Sequence, residues 1–186
     1  MSAGIKYHSV HGLFDGSLHH KLPSVSSART KAMLQAIGFK IPYKPKLKWN
    51  FNFDIPYLLG YDTEADVLYG DRGFDPDSYP EGSARDSLAT HEEIEKLLER
   101  FGLIYQQRHH IATHVENLMA DYLDFSWARY QRWTTHEWHK SYAKWQGKTT
   151  GLEVPPTLDM SPYIDEDDKL ISAMRRAGAK DSGEEG

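Results

Sequence analysis

The chain has no cysteine among its 186 residues. That excludes a disulfide framework, a thiolate nucleophile and any zinc or iron–sulfur centre held by sulfur. It also has no apolar run approaching the roughly 20 residues that span a bilayer. Its first residues, MSAGIKYHSVHGLF, have neither the basic-then-apolar layout of a secretory signal nor the Arg-rich character of a transit peptide. A cytoplasmic location without a membrane span is the expectation. Excess positive charge is missing too: the formal net charge is −5, which speaks against general nucleic-acid binding. Nor is there a G-x-G-x-x-G fingerprint, a Walker loop or a G-x-S-x-G elbow, so phosphate-cradling and serine-hydrolase chemistry lack support.

What is present suits a folded domain. Hydrophobic residues make up 39 % and charged residues 26 %, slightly lean in apolar content. An aromatic share of 12 % compensates, since each buried Trp or Tyr removes a large area from water. Residues 1–24, with three Gly and four His, read as an extended arm. Residues 25–177 read as a single helix-rich domain with a loop or linker at 70–83, and 178–186 as a disordered tail.

Within that domain a short helix is expected from Ser26 to Ile37, with Ala32, Met33, Ala36 and Ile37 on its apolar face and Gly38 ending it. Leu47, Trp49, Phe51, Phe53 and Ile55 alternate with polar residues, the pattern of a strand. Asp66–Tyr69 is its candidate partner, with Gly60 and Asp62 near the intervening turn. Thr90-His-Glu-Glu93 has the form of a capping box ahead of Ile94, Leu97, Leu98 and Phe101. Asp165 starts a last short helix reaching Met174, its charges placed as the helix dipole prefers.

Leu103 to Gln146 is 44 residues without glycine or proline. Steps of 100° place Ile104, Ile111, Val115, Leu118, Tyr122, Phe125 and Trp133 in one stripe, with Trp127, Trp138, Tyr142 and Trp145 on the opposite side. An unbroken helix of that length would reach ~66 Å, far beyond a compact domain with a radius of gyration of ~16 Å. The chain therefore either bends near Thr134-Thr-His-Glu137, a second capping-box pattern, or uses the helix to reach another subunit. The expected fold is α+β and mainly helical: a long kinked helix or helical hairpin at 90–146 packed on a small β element at about 47–69, with an extended N-terminal arm and a C-terminal short helix.

Ten histidines invite a test for metal binding. His110 and His114 are four apart and project from one side of a helix, so they can share a divalent ion. Further ligands would come from His19, His20, His91 or the carboxylates of the 62–77 loop. The plainer reading makes them flanking residues beside an apolar stripe. HHIATH lacks the Glu of H-E-x-x-H, and His136-Glu-Trp-His139 is one residue short of it. No Glu is followed by His three residues later, which removes the paired Glu-x-x-His of di-iron bundles. The run from Asp62 has Val67 and Gly73 where a calcium loop needs Gly and Glu. Asp71, Asp75 and Asp77 read as turn formers. Lys40, Lys44, Lys46 and Lys48 lie among aromatics and could bind RNA or an acidic partner, but Lys46 and Lys48 occupy the solvent side of the strand pattern.

Four of the five tryptophans fall between Trp127 and Trp145. Trp and Tyr anchor interfaces as well as cores, so Trp127, Trp133, Trp138, Tyr142 and Trp145 are the candidate interface. The leading functional expectation is a non-catalytic subunit or interaction protein in a homo- or hetero-oligomeric assembly, with no cofactor. The alternative is a metal-dependent enzyme or metal-binding domain using helix-borne histidines and loop carboxylates.

Overall fold

A computed structural model describes residues 27–55, 57–143 and 154–159. The expected arm at 1–24, the short helix from Asp165, the tail at 178–186, Trp145 and the side chain of Tyr142 lie outside the described residues. Among the described residues the architecture is α+β and mainly helical. Four helices, α1 (Ser27–Ala36), α2 (Arg85–Glu99), α3 (Tyr105–Tyr122) and α4 (Trp127–Ala143), accompany strands β1 (Lys48–Asn50), β2 (Leu59–Tyr61) and β3 (Val67–Gly70). None of these helices is long and apolar enough to cross a membrane.

Helix α1 ends as its sequence implies. Gly38 takes φ 75°, and the amides of Gly38 and Phe39 bond back to the carbonyls of Gln35 and Leu34, satisfying the helix's last acceptors. Met33 is buried and Ile37 half-buried, while Ala32 and Ala36 face outward.

The alternating run at 47–55 forms a ladder over three residues only. The Asn50 side chain accepts from the amide of Asn52 at 2.9 Å, a local turn that takes the backbone off the ladder. The expected partner is right, but the pairing is parallel, Trp49 facing Leu68. Gly60 lies in β2 rather than in a turn, and β2 runs antiparallel to β3 on the other side, giving the order β1-β3-β2. Glycine is required at 70, where a Cβ would lie 2.4 Å from the Phe51 ring.

Both capping boxes fall inside helices. No Gly or Pro separates Ser83 from Gly102, so α2 propagates back to Arg85. There Thr90 bonds to the Asp86 carbonyl at 2.6 Å. Glu93 turns away from its own helix and accepts from the Tyr43 hydroxyl at 2.7 Å and from the amides of Lys46 and Leu47. Thr134 likewise lies within α4, bonded to the Gln131 carbonyl. The long stretch breaks ten residues earlier than Thr134, at Asp124, which adopts φ 61°. The amides of Asp124 and Phe125 return to the carbonyls of Asp121 and Ala120, the same closing motif as at Gly38. Aspartate tolerates the left-handed conformation better than most residues, which is why a break occurs without glycine.

Two apolar clusters result. Met33, Ile94, Leu98, Leu103, Ile111 and Val115 join α1, α2 and α3. Leu59, Leu68, Phe74, Tyr79, Leu88, Tyr130 and Trp138 join the sheet, α2 and α4. Residues 154–159 run beside the end of β2, the Thr63 amide donating to the Thr157 carbonyl and the Asp159 amide to that of Tyr61, with Val154 and Leu158 buried. Thr157 bonds Asp62 at 2.5 Å, and Tyr69 bonds the same carboxylate at 2.6 Å.

Two predictions follow from these local structures. Replacing Asp124 by Gly removes the left-handed penalty and should raise stability by up to about 1 kcal/mol, read as a higher urea midpoint. Were the helix continuous through 124, the same change would lower stability by about that amount. Burial raises the Asp62 carboxyl, but hydrogen bonds from Thr157, Tyr69, Ala65 and Glu64 outweigh it and hold the group below its usual range. A depressed folded pKa adds stability above the unfolded value of about 3.9, and this is lost as pH falls through the folded value. Asp62→Asn should therefore be less stable than wild type at pH 7, with the gap between their urea midpoints narrowing towards pH 3. A pH-independent gap would contradict the assignment.

Candidate metal centre

Helices α2 and α3 are joined by a short turn at Gly102 (φ 68°) and pack against each other through Ile94, Leu98, Ile111 and Val115. Further along the same contact the apolar pattern gives way to ionisable side chains. His91 and Glu95 are one turn apart on α2, and His109 and Glu116 are two turns apart on α3. All four are buried, with 2 % of Glu95 and 8 % of each histidine exposed.

Three of their atoms converge. His91 Nε2 lies 2.9 Å from Glu95 Oε1 and 3.1 Å from His109 Nδ1. His109 Nδ1 lies 2.7 Å from the same Glu95 oxygen. The other face of His91 is fixed: its Nδ1 pairs with Glu116 Oε2 at 2.9 Å, and Glu116 accepts from the Tyr130 hydroxyl of α4 at 2.7 Å. With Nδ1–H donated to Glu116, the neutral ring directs the Nε2 lone pair into the triangle. A carboxylate that orients a ligating imidazole in this way is the usual outer layer of a metal site. The Tyr105 hydroxyl stands 3.3 Å from His109 Nδ1.

Without a cation the triangle must be filled by protons. Both ring N–H groups would then aim at one carboxylate oxygen while facing each other across 3.1 Å. In that state burial would lower His91 basicity, but Glu116 and Glu95 dominate and raise it well above its ordinary value. Burial pushes Glu95 up; the hydrogen bonds from His109 and His91 reverse this and hold it at about 2. One divalent ion would replace both protons. Four-coordinate zinc with bonds of 2.0–2.2 Å separates its ligand atoms by about 3.3 Å, so small outward adjustments of these three donors admit it.

The triangle borders a cavity of about 70 Å³. Tyr57, Leu59, Leu88, Trp138 and Thr135 form much of its wall, together with half-buried Glu92. Burial and the nearby charge of Glu95 push the Glu92 carboxyl up to about 8.

The sequence-predicted pair is elsewhere. His110 and His114 are exposed, on the side of α3 turned away from α2, and the histidine brought to the cluster is their neighbour His109. His91, named only as a supplementary ligand, is central. The loop carboxylates stay out of the cavity wall. Asp75 caps a short turn at Asp77, Asp77 pairs with Arg85, and Asp71 accepts from Ser141. His136 and His139 are exposed, and Glu137 pairs with Lys140. Trp127 stacks on Tyr130, Trp133 packs against Phe74 and Tyr79, and Trp138 is buried against Tyr57. These three candidate interface residues therefore belong to the chain's own second cluster.

One signal was available. His91-Glu-Glu-Ile-Glu95 reads H-E-x-x-E, the helix spacing of H-E-x-x-H with a carboxylate as second ligand. No protein-family model matches the chain, and no curated protein or solved structure shows significant similarity to it.

Proposed function

We propose that the protein is a metal-dependent enzyme whose ion is held by His91, Glu95 and His109, and that its chemistry is hydrolytic. The observation that carries this reading is the convergence of three buried donor atoms on one point, with His91 fixed from behind by Glu116. Two imidazoles and one carboxylate form the donor set of catalytic zinc and also of non-haem iron(II) sites. Glu92 favours hydrolysis. It stands next to the first ligand, where H-E-x-x-H places its general base, and it lines the cavity beside the triangle. The ion would supply Lewis acidity and a bound water of lowered pKa. In the reaction, water oxygen bonds to the electrophilic carbon and the bond to the leaving group breaks. Glu92 takes the water proton and returns it to the leaving atom.

A non-catalytic subunit role rested on an over-long helix and two opposed aromatic faces. The break at Asp124 and the packing of Trp127, Trp133 and Trp138 on the chain's own core supply another explanation for both, so the metal reading has the stronger support.

Elemental analysis of protein purified without chelator should find about one zinc or iron per chain. Glu95→Gln and His109→Ala should abolish stoichiometric metal, and Glu116→Gln should weaken affinity by roughly 10–100-fold. His110→Ala and His114→Ala should retain it. Metal-free wild type that also fails to take up added zinc at pH 7.5 would end the proposal.

A further inference from the structure

The packing of α2 on α3 brings together two pairs of side chains spaced four apart, His91 with Glu95 and Tyr105 with His109. On a helix that spacing sets both members of a pair on one face. Tyr105 is buried, borders the same cavity as the triangle and tilts over the His109 ring with 5.4 Å between centroids. Its hydroxyl stands 3.3 Å from His109 Nδ1. In the metal-loaded site that nitrogen gives its lone pair to the ion and cannot also accept a hydrogen bond. Tyr57 hydrogen-bonds to the same hydroxyl. Two phenols carry one hydrogen each; one joins the two side chains, and the other is left for a group in the cavity. The wall holds no Lys, Arg, Asn or Gln, and Thr134 donates to the Gln131 carbonyl of its own helix. No cationic or amide side chain therefore competes for that task.

We propose that Tyr105 is a catalytic residue of the metal site, donating a hydrogen bond to the oxygen at the ion's open position without giving up its proton. As the water oxygen bonds to the carbon of a substrate carbonyl, the electron pair of the carbonyl moves onto its oxygen. The Tyr105 hydroxyl stabilises that charge until the pair returns and the bond to the leaving group breaks. This inference rests on the metal reading above.

The test uses the full chain loaded with cobalt(II), whose visible bands report changes at the ion. It is titrated at pH 7.5 with two probes: acetohydroxamic acid, which places oxygen on the ion, and 2-mercaptoethanol, which places sulfur, a weak acceptor. In Tyr105→Phe the bands before titration should match wild type. Acetohydroxamic acid should bind roughly 10–100-fold more weakly, the range of one hydrogen bond to a charged group, while 2-mercaptoethanol binding stays unchanged. Tyr57→Phe removes the hydroxyl that orients Tyr105. It should show the same selectivity at several-fold, and it carries the test if Tyr105→Phe does not fold. Equal weakening of both probes would make the role structural and overturn the inference, as would acetohydroxamic acid binding that neither variant alters. Bands already shifted before titration would make the hydroxyl a metal ligand and overturn it too. Wild-type bands that neither probe moves would do the same. Each of these outcomes leaves the metal centre standing, whereas a chain that takes up no cobalt removes the metal reading and this inference with it.

Discussion

Between α2 and α3 the protein places charge where a pair of packed helices ordinarily places leucine. Burying His91, Glu95, His109 and Glu116 removes their hydration, and a buried charge is tolerated only when paired and hydrogen-bonded. The two helices supply those partners to each other across their contact. Everything around the cluster serves that condition. Apolar packing from Ile94 to Leu103 fixes the pair at its turn end, so the ionisable end inherits a defined separation. Helix α4 then delivers Tyr130 to the outer oxygen of Glu116.

The same contact explains why the break at Asp124 matters. Were α3 to continue, Tyr130 would be carried away from Glu116 along the helix axis. Closing α3 in the left-handed turn folds α4 back, where Ser126 and Arg129 anchor its start to Glu81. Trp133 and Trp138 then pack against the sheet and loop aromatics. Aromatic surface that seems excessive on a straight helix is what the returning helix needs in order to cover the sheet and to close one side of the cavity.

Periodicity made the fold class legible, and turn chemistry at Gly38 and Gly102 located two helix ends. Where reading failed, polar residues were doing structural tasks that hydrophobic pattern does not count. Summing only apolar residues on α3 centred the buried face near Ile104 and Tyr122, which are 51 % and 55 % exposed. Counting buried Arg108, His109 and Glu116 rotates that face towards α2. The four-residue spacing of His110 and His114 says nothing about which side of the helix is covered, and both are exposed. Thr90 and Glu93 match a capping box, a match that conceals His91 and Glu95 within the same six residues. Glu93 itself spans 47 residues to cap the amide of Lys46, a contact that no local pattern encodes.

A set of donor atoms on two helices differs physically from one built on loops. Its donor separations follow from interhelical packing, which varies little with side-chain motion, so the geometry depends on no bound group. The outer layer reinforces this. Tyr130 restrains Glu116, Glu116 restrains the His91 ring, and both hydrogen bonds run through buried atoms. Glu92 is the exception. It extends from the same rigid helix to the cavity wall beside the triangle, and its carboxyl takes part in no side-chain hydrogen bond among the described residues. A fixed triangle beside one chemically uncommitted acid is a division of labour that a purely structural ion network does not require.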